Sequence, residues 1–393
     1  MLTMKPKRIP SALVQLKQDR ASEIGVFRYP WWIAICWLVV FAACLVFSCS
    51  PVVLFESSIA LTPAYELKAN NPLADTAMLT VPPQAGERSH GAKLTRRLTG
   101  SILLYLTTQM GINPYWPSTI GGAFLLLSGI VVGERVTRDR QVGLFLGLSI
   151  AGLYATNACF CVNVSPKPFD GIALGLIAAC FLTQRSSIQL PLAFFACWAD
   201  ERAILGILCL AAYSFFSEEG AGHSILRASW KPCSVVVAYL VTRWFLGLVL
   251  NWQPADASML GGSVIRTTLP YWQVAFWTGL EGGGILVLIA LLSEGRNRAG
   301  RFILVLLLLV FITANLLVID ISRGAAFTFP LIFVALSAIQ RNSGTQIEII
   351  RRLVMASALV SLSCPNLEVM AEIIFRPLPT LPVELWLRWN VGL

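Results

Sequence analysis

The chain has 393 residues, of which 56% are hydrophobic and only 13% charged, with a formal net charge of +9 and a mean hydropathy of +0.70. Soluble domains carry about 25% charged residues, so composition argues against a water-soluble globular protein. Lysines and arginines are not interleaved with aromatics in any soluble segment, which argues against nucleic acid as a partner. Apolar runs of about 17 to 25 residues recur along the whole length, as spanning helices require.

Residues 1–30 hold Lys5, Lys7, Arg8, Lys17, Arg20 and Arg28 ahead of the first apolar run, "WWIAICWLVVFAACLVFSCSPVVLF". Cytoplasmic segments carry the surplus of Lys and Arg, so this basic tail places the N-terminus in the cytoplasm. The first run starts near Trp31 and is too long for the h-region of a cleavable signal peptide. The stretch 56–98 follows, with Glu56, Glu66, Asp75, Glu87, Arg88 and His90. It is the longest polar segment and reads as an extracytoplasmic loop.

Two later stretches are coupled. "LTGSILLYLTTQMGI" (98–112) is short of the roughly 20 residues that cross hydrocarbon. "SIQLPLAFFACWADERAILGILCLAAYSFF" reads either as one helix with charges at its centre or as two helices meeting at "ADER". A single helix of about 29 residues would be about 43 Å long, well beyond a bilayer core. With 98–112 at the outer interface and a turn at "ADER", the connectors "GERVTRDR", "QRSS", "HSILRASWK", "EGRNRAGR" and "QRNSGTQIEIIRR" all fall on the cytoplasmic side. The competing scheme exports "GERVTRDR". Positive charge favours the first.

The resulting expectation is an all-α polytopic membrane protein. Its transmembrane domain covers 31–364, with about eleven spans starting near residues 31, 115, 141, 171, 187, 202, 233, 273, 301, 323 and 353. A juxtamembrane helix covers 98–112, and the tail 365–393 lies outside. No internal repeat and no soluble domain is apparent. The ten cysteines are scattered, and Cys36, Cys44, Cys180 and Cys209 lie inside apolar runs. Cys159 and Cys161 are close but lack a CxxC pair or a His cluster, so the cysteines read as small hydrophobes. No cofactor and no tightly held metal is expected.

Topology collects charge on the outer side: Asp170 in "SPKPFD", then Asp200, Glu201 and Arg202, then Asp320 and Arg323 in "VIDISRG". Asp320 and Arg323 are three apart and share a helical face. They read either as a salt bridge fixing a helix end or as an anion-binding guanidinium oriented by a carboxylate, since guanidinium matches phosphate bidentately. "ADER" is likewise either a solvated turn or part of a polar cavity. Deeper along the spans lie Arg243 and Glu281. A lone charge there costs on the order of 2.5–3.5 kcal/mol, so these two are expected to pair or to line a cavity with the outer acids. The glycines after Glu281 would admit a neighbouring helix or lipid chain at close range. Glu56, Arg96 and Arg97 border the first outer loop, where they either cap a membrane exit and touch headgroups or face substrate.

With these features in place, residues 31–340 resemble the GT-C-type membrane glycosyltransferases. The likeness is architectural. It rests on the basic N-terminus, one span, a long first outer loop, a juxtamembrane helix beginning "RRLTGSILLYL", a helix opening "PFDGIALGLIAACFLT", and the helix pair around "ADERAILGIL". The resemblance implies transfer of a sugar from a polyprenyl-phosphate carrier outside the membrane, with membrane lipid as partner. It makes Glu56 the first candidate for the catalytic base and Asp75 the second. Arg96, Arg97, Arg202 or Arg323 would meet the lipid phosphate. The family's acid is usually Asp, and "LFESS" departs from that pattern; no large soluble sugar-binding domain follows the spans. Bacterial cytoplasmic membrane is the implied location.

Two other classes fit the same composition. One is a transporter or flippase for an amphiphilic anion, with Arg243 and Glu281 as a switchable pair. Against it, no matched pair of Gly/Pro-broken helices is apparent in two halves. The other is a non-catalytic membrane subunit of an envelope polysaccharide assembly system. Sidedness is testable: a cysteine at Ser165, Ala199 or Ser322 is expected to react with an impermeant reagent added outside, and protection of all three refutes this topology.

Overall fold

The computed structural model describes residues 31–47, 97–112, 116–160, 168–217, 225–250, 262–293, 298–317, 321–341 and 346–363. Glu56, Asp75, Arg96, Asp320 and Ser165, and the segments 1–30 and 365–393, lie outside the described residues. Within them the chain is all-helical. In chain order the helices are α1 (Trp31–Phe47), α2 (Leu98–Gln109), α3 (Trp116–Thr137), α4 (Arg140–Ala151), α5 (Tyr154–Cys159), α6 (Pro168–Leu182), α7 (Ser186–Ala199) and α8 (Ala203–Ser217). There follow α9 (Ile225–Val249), α10 (Gly262–Thr268), a 3-10 turn (Leu269–Tyr271), α11 (Trp272–Leu280), α12 (Gly283–Ser293), α13 (Arg298–Leu316), α14 (Ile321–Ala326), α15 (Pro330–Arg341) and α16 (Ile347–Ser363).

Among the described residues four stretches are long and apolar enough to cross a membrane: Trp116–Thr137, Ser229–Val249, Arg298–Leu316 and Ile321–Arg341. Several shorter apolar helices accompany them. The outer helices wear apolar side chains on their exposed faces. On α9, Val237, Leu240, Val241, Trp244, Phe245 and Leu248 are all exposed, a surface suited to hydrocarbon and not to water. Helix α15 is enclosed on all sides.

The stretch 187–215 is two helices, α7 and α8, broken at Asp200–Arg202. Elsewhere the expected spans are interrupted where the sequence reading carried them straight through. The span beginning near 141 stops at Gly152 and resumes as α5; the one near 273 breaks at Glu281–Gly282, and the one near 323 breaks over 327–329. The last break has a local cause. Pro330 disfavours helical geometry in the residue before it and lacks an N–H, but its fixed φ suits the first turn of α15.

The interruptions meet. Gly279 packs against Ala325 and Thr328, and Gly283 against Ile332, so the α11–α12 break lies beside the α14–α15 break. Both Gly152 and Gly282 press on α16 at Ser361, and the Tyr154 N–H donates to Glu281 Oε1 at 3.3 Å. Broken helices, which the sequence alone did not disclose, are therefore present, and they are juxtaposed.

The centre of the bundle is a seam of small residues. Gly121 lies against Gly171 and Gly175, Gly129 against Gly147, and Gly133 against Gly143. These glycines recur four apart in α3, α4 and α6, the spacing that lets helix backbones approach closely in a membrane. The seam sets α3 parallel to α6, since Ser118 near the start of α3 bonds the Cys159 carbonyl just ahead of α6, while Arg135 near its end donates to the Phe181 and Leu182 carbonyls at 2.7 and 2.8 Å.

The bundle thus has two chemically distinct ends. One collects Arg135, Arg140 over the Trp32 ring, Lys231 bonded to Ser186, Arg341 on the Phe215 carbonyl, and Arg351 paired with Asp139. Asp139 also caps α4, accepting from the Val142 N–H at 2.9 Å. The other end holds mixed acids and guanidiniums, described below. Ala199 and Ser322 are buried and make poor reporters of sidedness. Exposed Gln273 on the mixed end and Gln184 on the basic end replace them, and cysteines there are expected to label from opposite sides.

The seam generates a stability prediction. A Cβ on Gly175 would overlap the Gly121 backbone, so Gly175→Ile forces α3 and α6 apart. Overpacking of this kind costs about 1–3 kcal/mol, to be read as a lowered melting temperature in detergent or lipid, whereas Gly247→Ala, where a Cβ meets open space, should leave it unchanged.

Candidate functional site

The site begins with a local turn. Asp200 ends α7 in an extended conformation, its N–H bonded to the Ala196 carbonyl. Its Oδ1 accepts from the Arg202 N–H at 2.9 Å, and its carbonyl accepts from the Ala203 N–H at 3.0 Å. A short acid at this position thus satisfies backbone groups on both sides of the break, which is what Asp does in turns. The turn projects Glu201 and Arg202 toward three other helices.

From there the ionic contacts form a line of alternating sign. Arg202 grips Asp200 with Nε at 2.8 Å and Nη2 at 2.6 Å, and the same Nη2 reaches Asp170 Oδ1 at 2.8 Å. Asp170 is held from its far side by Arg323, Nε to Oδ2 at 2.5 Å and Nη2 to Oδ1 at 2.7 Å. In the other direction Arg97 Nη1 lies 2.8 Å from Asp200 Oδ2, and its Nε and Nη2 donate to Glu201 at 3.2 and 3.1 Å. Glu201 then meets Arg243 Nη1 at 3.7 Å. Read along the line, the order is Arg243, Glu201, Arg97, Asp200, Arg202, Asp170, Arg323. Among the described residues both ends are cationic, and four guanidiniums face three carboxylates.

Burial is graded along this line. Asp170 and Asp200 are 0% exposed and Arg97 5%, whereas Glu201 and Arg243 are 30% and 31% exposed. The inner acids are therefore fully desolvated and depend on their arginines, while Glu201 and Arg243 form an accessible rim. Aromatics floor the site. The Phe327 ring sits 5.1 Å from the Arg202 guanidinium, and Tyr239, beneath Arg243, accepts a hydrogen bond from it and packs edge-on against Trp198.

Of the residues expected from sequence, Arg97, Asp170, Asp200, Glu201, Arg202, Arg243 and Arg323 are brought into one cluster. Arg323 is engaged by Asp170; its expected pairing with Asp320 falls outside the described residues. Arg243 and Glu281 do not pair: Arg243 joins the acid at the rim, while Glu281 lies buried at the helix breaks with the Tyr154 N–H as its hydrogen-bond partner. The reason is topological, because α9 packs on α7 and α8 while Glu281 is enclosed by α5 and the breaks. Glu56, Asp75 and Arg96 lie outside the described residues. Sequence reasoning missed Tyr239, although its position four residues before Arg243 in α9 was a readable helical pairing. Phe327 gave no such signal.

Among the described residues the cluster's guanidiniums outnumber its carboxylates and are held by charge-assisted bonds. No family model matches the chain, and no curated protein or solved structure matches it either.

The gradient of burial makes a direct prediction. Arg202→Ala removes one of the two arginines that hold each desolvated aspartate and should lower unfolding free energy by about 3 kcal/mol. Arg243→Ala, at the rim, should cost no more than about 1 kcal/mol. Thermal unfolding in lipid nanodiscs distinguishes the two, and equal losses would contradict the division into core and rim.

Proposed function

We propose that this protein is a membrane glycosyltransferase-like protein acting on a polyprenyl-phosphate-linked sugar at the extracytoplasmic face. The observation that carries the reading is the line of seven charged side chains from five separate chain segments, cationic at both ends and placed opposite the Arg-rich end of the bundle. By the positive-inside rule the Arg-rich end is cytoplasmic, which puts the charge line on the outer side of a bacterial cytoplasmic membrane. A donor of this class has an apolar tail and a phosphate head. Its tail would lie against exposed apolar helices such as α9, and its phosphate would meet Arg243 at the accessible rim, with Arg97, Arg202 and Arg323 supplying field from behind. Stabilising a leaving lipid phosphate requires such fixed positive charge in a site poor in water. The acceptor's proton would go to a carboxylate of the first outer loop, Glu56 ahead of Asp75.

A second reading is favoured by one observation. Three interrupted helices meet around a buried carboxylate, the arrangement through which transporters open backbone groups to a substrate. A transporter or flippase of an amphiphilic anion would use the same charge line as its headgroup site.

The experiment compares binding of a polyprenyl phosphate and the corresponding uncharged polyprenol to the protein in nanodiscs, followed by sugar transfer from the lipid-linked donor. Arg243→Gln is expected to weaken phosphate binding about tenfold, equivalent to about 1.4 kcal/mol, and Glu201→Gln to strengthen it, with the polyprenol unaffected. Glu56→Gln should reduce transfer about 10²–10⁴-fold with binding retained. Equal binding of phosphate and alcohol would end the anion-site reading; binding without transfer by the wild type would favour the second.

A further inference from the structure

Glu281 belongs to neither end of the bundle. It is 3% exposed, its Oε1 accepts only the Tyr154 N–H at 3.3 Å, and its Oε2 has no hydrogen-bond partner among the described residues. The ionisable side chains on the elements that enclose it are otherwise engaged. Arg323 on α14 is bound to Asp170, Arg341 on α15 to the Phe215 carbonyl, Arg351 on α16 to Asp139 and Glu348, and Arg352 to Glu348. Arg298 and Arg301 on α13 are exposed, and the tyrosines there are Tyr154 on α5 and Tyr271 ahead of α11. No ion pair to Glu281 forms among the described residues.

Its backbone is unusual too. Glu281 stands at φ 42°, a conformation that costs a non-glycine residue on the order of 1–3 kcal/mol, although the next three residues are all glycine. A glycine at 281 would remove that cost, so the side chain itself has a use. The first N–H groups of α12 do not serve the carboxylate, since Gly284 and Ile285 donate to the carbonyls of Glu281 and Gly282 at 3.0 and 3.1 Å. Polar neighbours converge on the same breaks: Gly282 presses on the Ser357 carbonyl and on Ser361, and the Ser149 and Ser357 hydroxyls lie 2.7 Å apart.

We propose that Glu281 is a proton-binding site at the junction of the three broken helices, holding a proton on Oε2 and releasing it when the junction opens. An ionised carboxylate without a cation in such surroundings costs several kcal/mol; adding a proton removes the charge by forming one O–H bond, with water as donor and acceptor of the proton and no other bond changed. Loss of the proton leaves an anion enclosed by α11, α12, α14 and α16, which drives the breaks apart until water or a cation reaches it. Protonation and helix-break geometry are thereby linked. The inference holds under either functional reading, because it depends on the junction and not on the charge line.

The test uses the full-length protein in nanodiscs and a hydrophobic carbodiimide, which adds to protonated carboxyl groups in apolar surroundings and is located by peptide mass spectrometry. The expected result is an adduct on Glu281 whose yield falls about tenfold per pH unit above the midpoint of titration. Infrared spectra should show a protonated-carboxyl band in the wild type that is missing from Glu281→Gln, which keeps the shape of the side chain. Sodium ion at constant pH should not protect Glu281. Sodium protection, or a wild type with neither adduct nor band, overturns the proposal, and because both readouts are made on the wild type, misfolding of the variant does not blunt the test.

Discussion

Two fully buried aspartates, Asp170 and Asp200, set the terms on which this bundle holds together. Each carboxylate would cost several kcal/mol to desolvate alone, and each is retained because arginines approach it from two directions. Those arginines come from elements remote in sequence: Arg97 ahead of α2, Arg202 at the head of α8 and Arg323 in α14. The electrostatic requirement of two side chains thus ties four regions of the chain to a single point. Among the described residues it also leaves the cluster one guanidinium in excess, with its most accessible pair, Glu201 and Arg243, at the rim.

A rigid cluster needs a rigid base, and the glycine seam supplies it. With Gly121, Gly171 and Gly175 in contact, α3 and α6 approach more closely than larger residues permit, so Asp170 is delivered at a fixed height against the α7–α8 turn. The helix breaks act in the opposite sense. Where α4, α11 and α14 stop short, the i→i−4 ladder gives way to i→i−3 bonds, whose geometry is poorer. The charge line sits at the tight end of this architecture, and the helix breaks meet at the buried junction around Glu281.

How much of this was legible in the chain varies by element. The starts of α1, α3, α7, α8, α11 and α14 follow from apolar run lengths and from charges and prolines at their ends. The division at Asp200 follows from helix length: a single helix through "ADER" would overrun a bilayer and carry three charges inside it. Asp170, Asp200, Glu201, Arg202 and Arg323 were singled out as outer charges because topology gathers them at one end, whereas Arg97 was read with the first loop and Arg243 as a deeper charge. Their pairing was not legible. Arg323 engages an acid 153 residues distant in sequence, a partner that no local spacing announced. Arg243 and Glu281, matched by depth along their spans, occupy different packing environments.

What the sequence determined by itself is the class of molecule and which residues are too costly to be incidental. Hydrophobic run length and the distribution of Lys and Arg are one-dimensional properties, and a bilayer reads them in one dimension. Partnership was decided only by the tertiary structure. Whether a guanidinium meets one carboxylate or another depends on which helices the small-residue seam brings together and where the chain interrupts itself. Those are consequences of contacts between segments far apart in the sequence, and local patterns do not encode them.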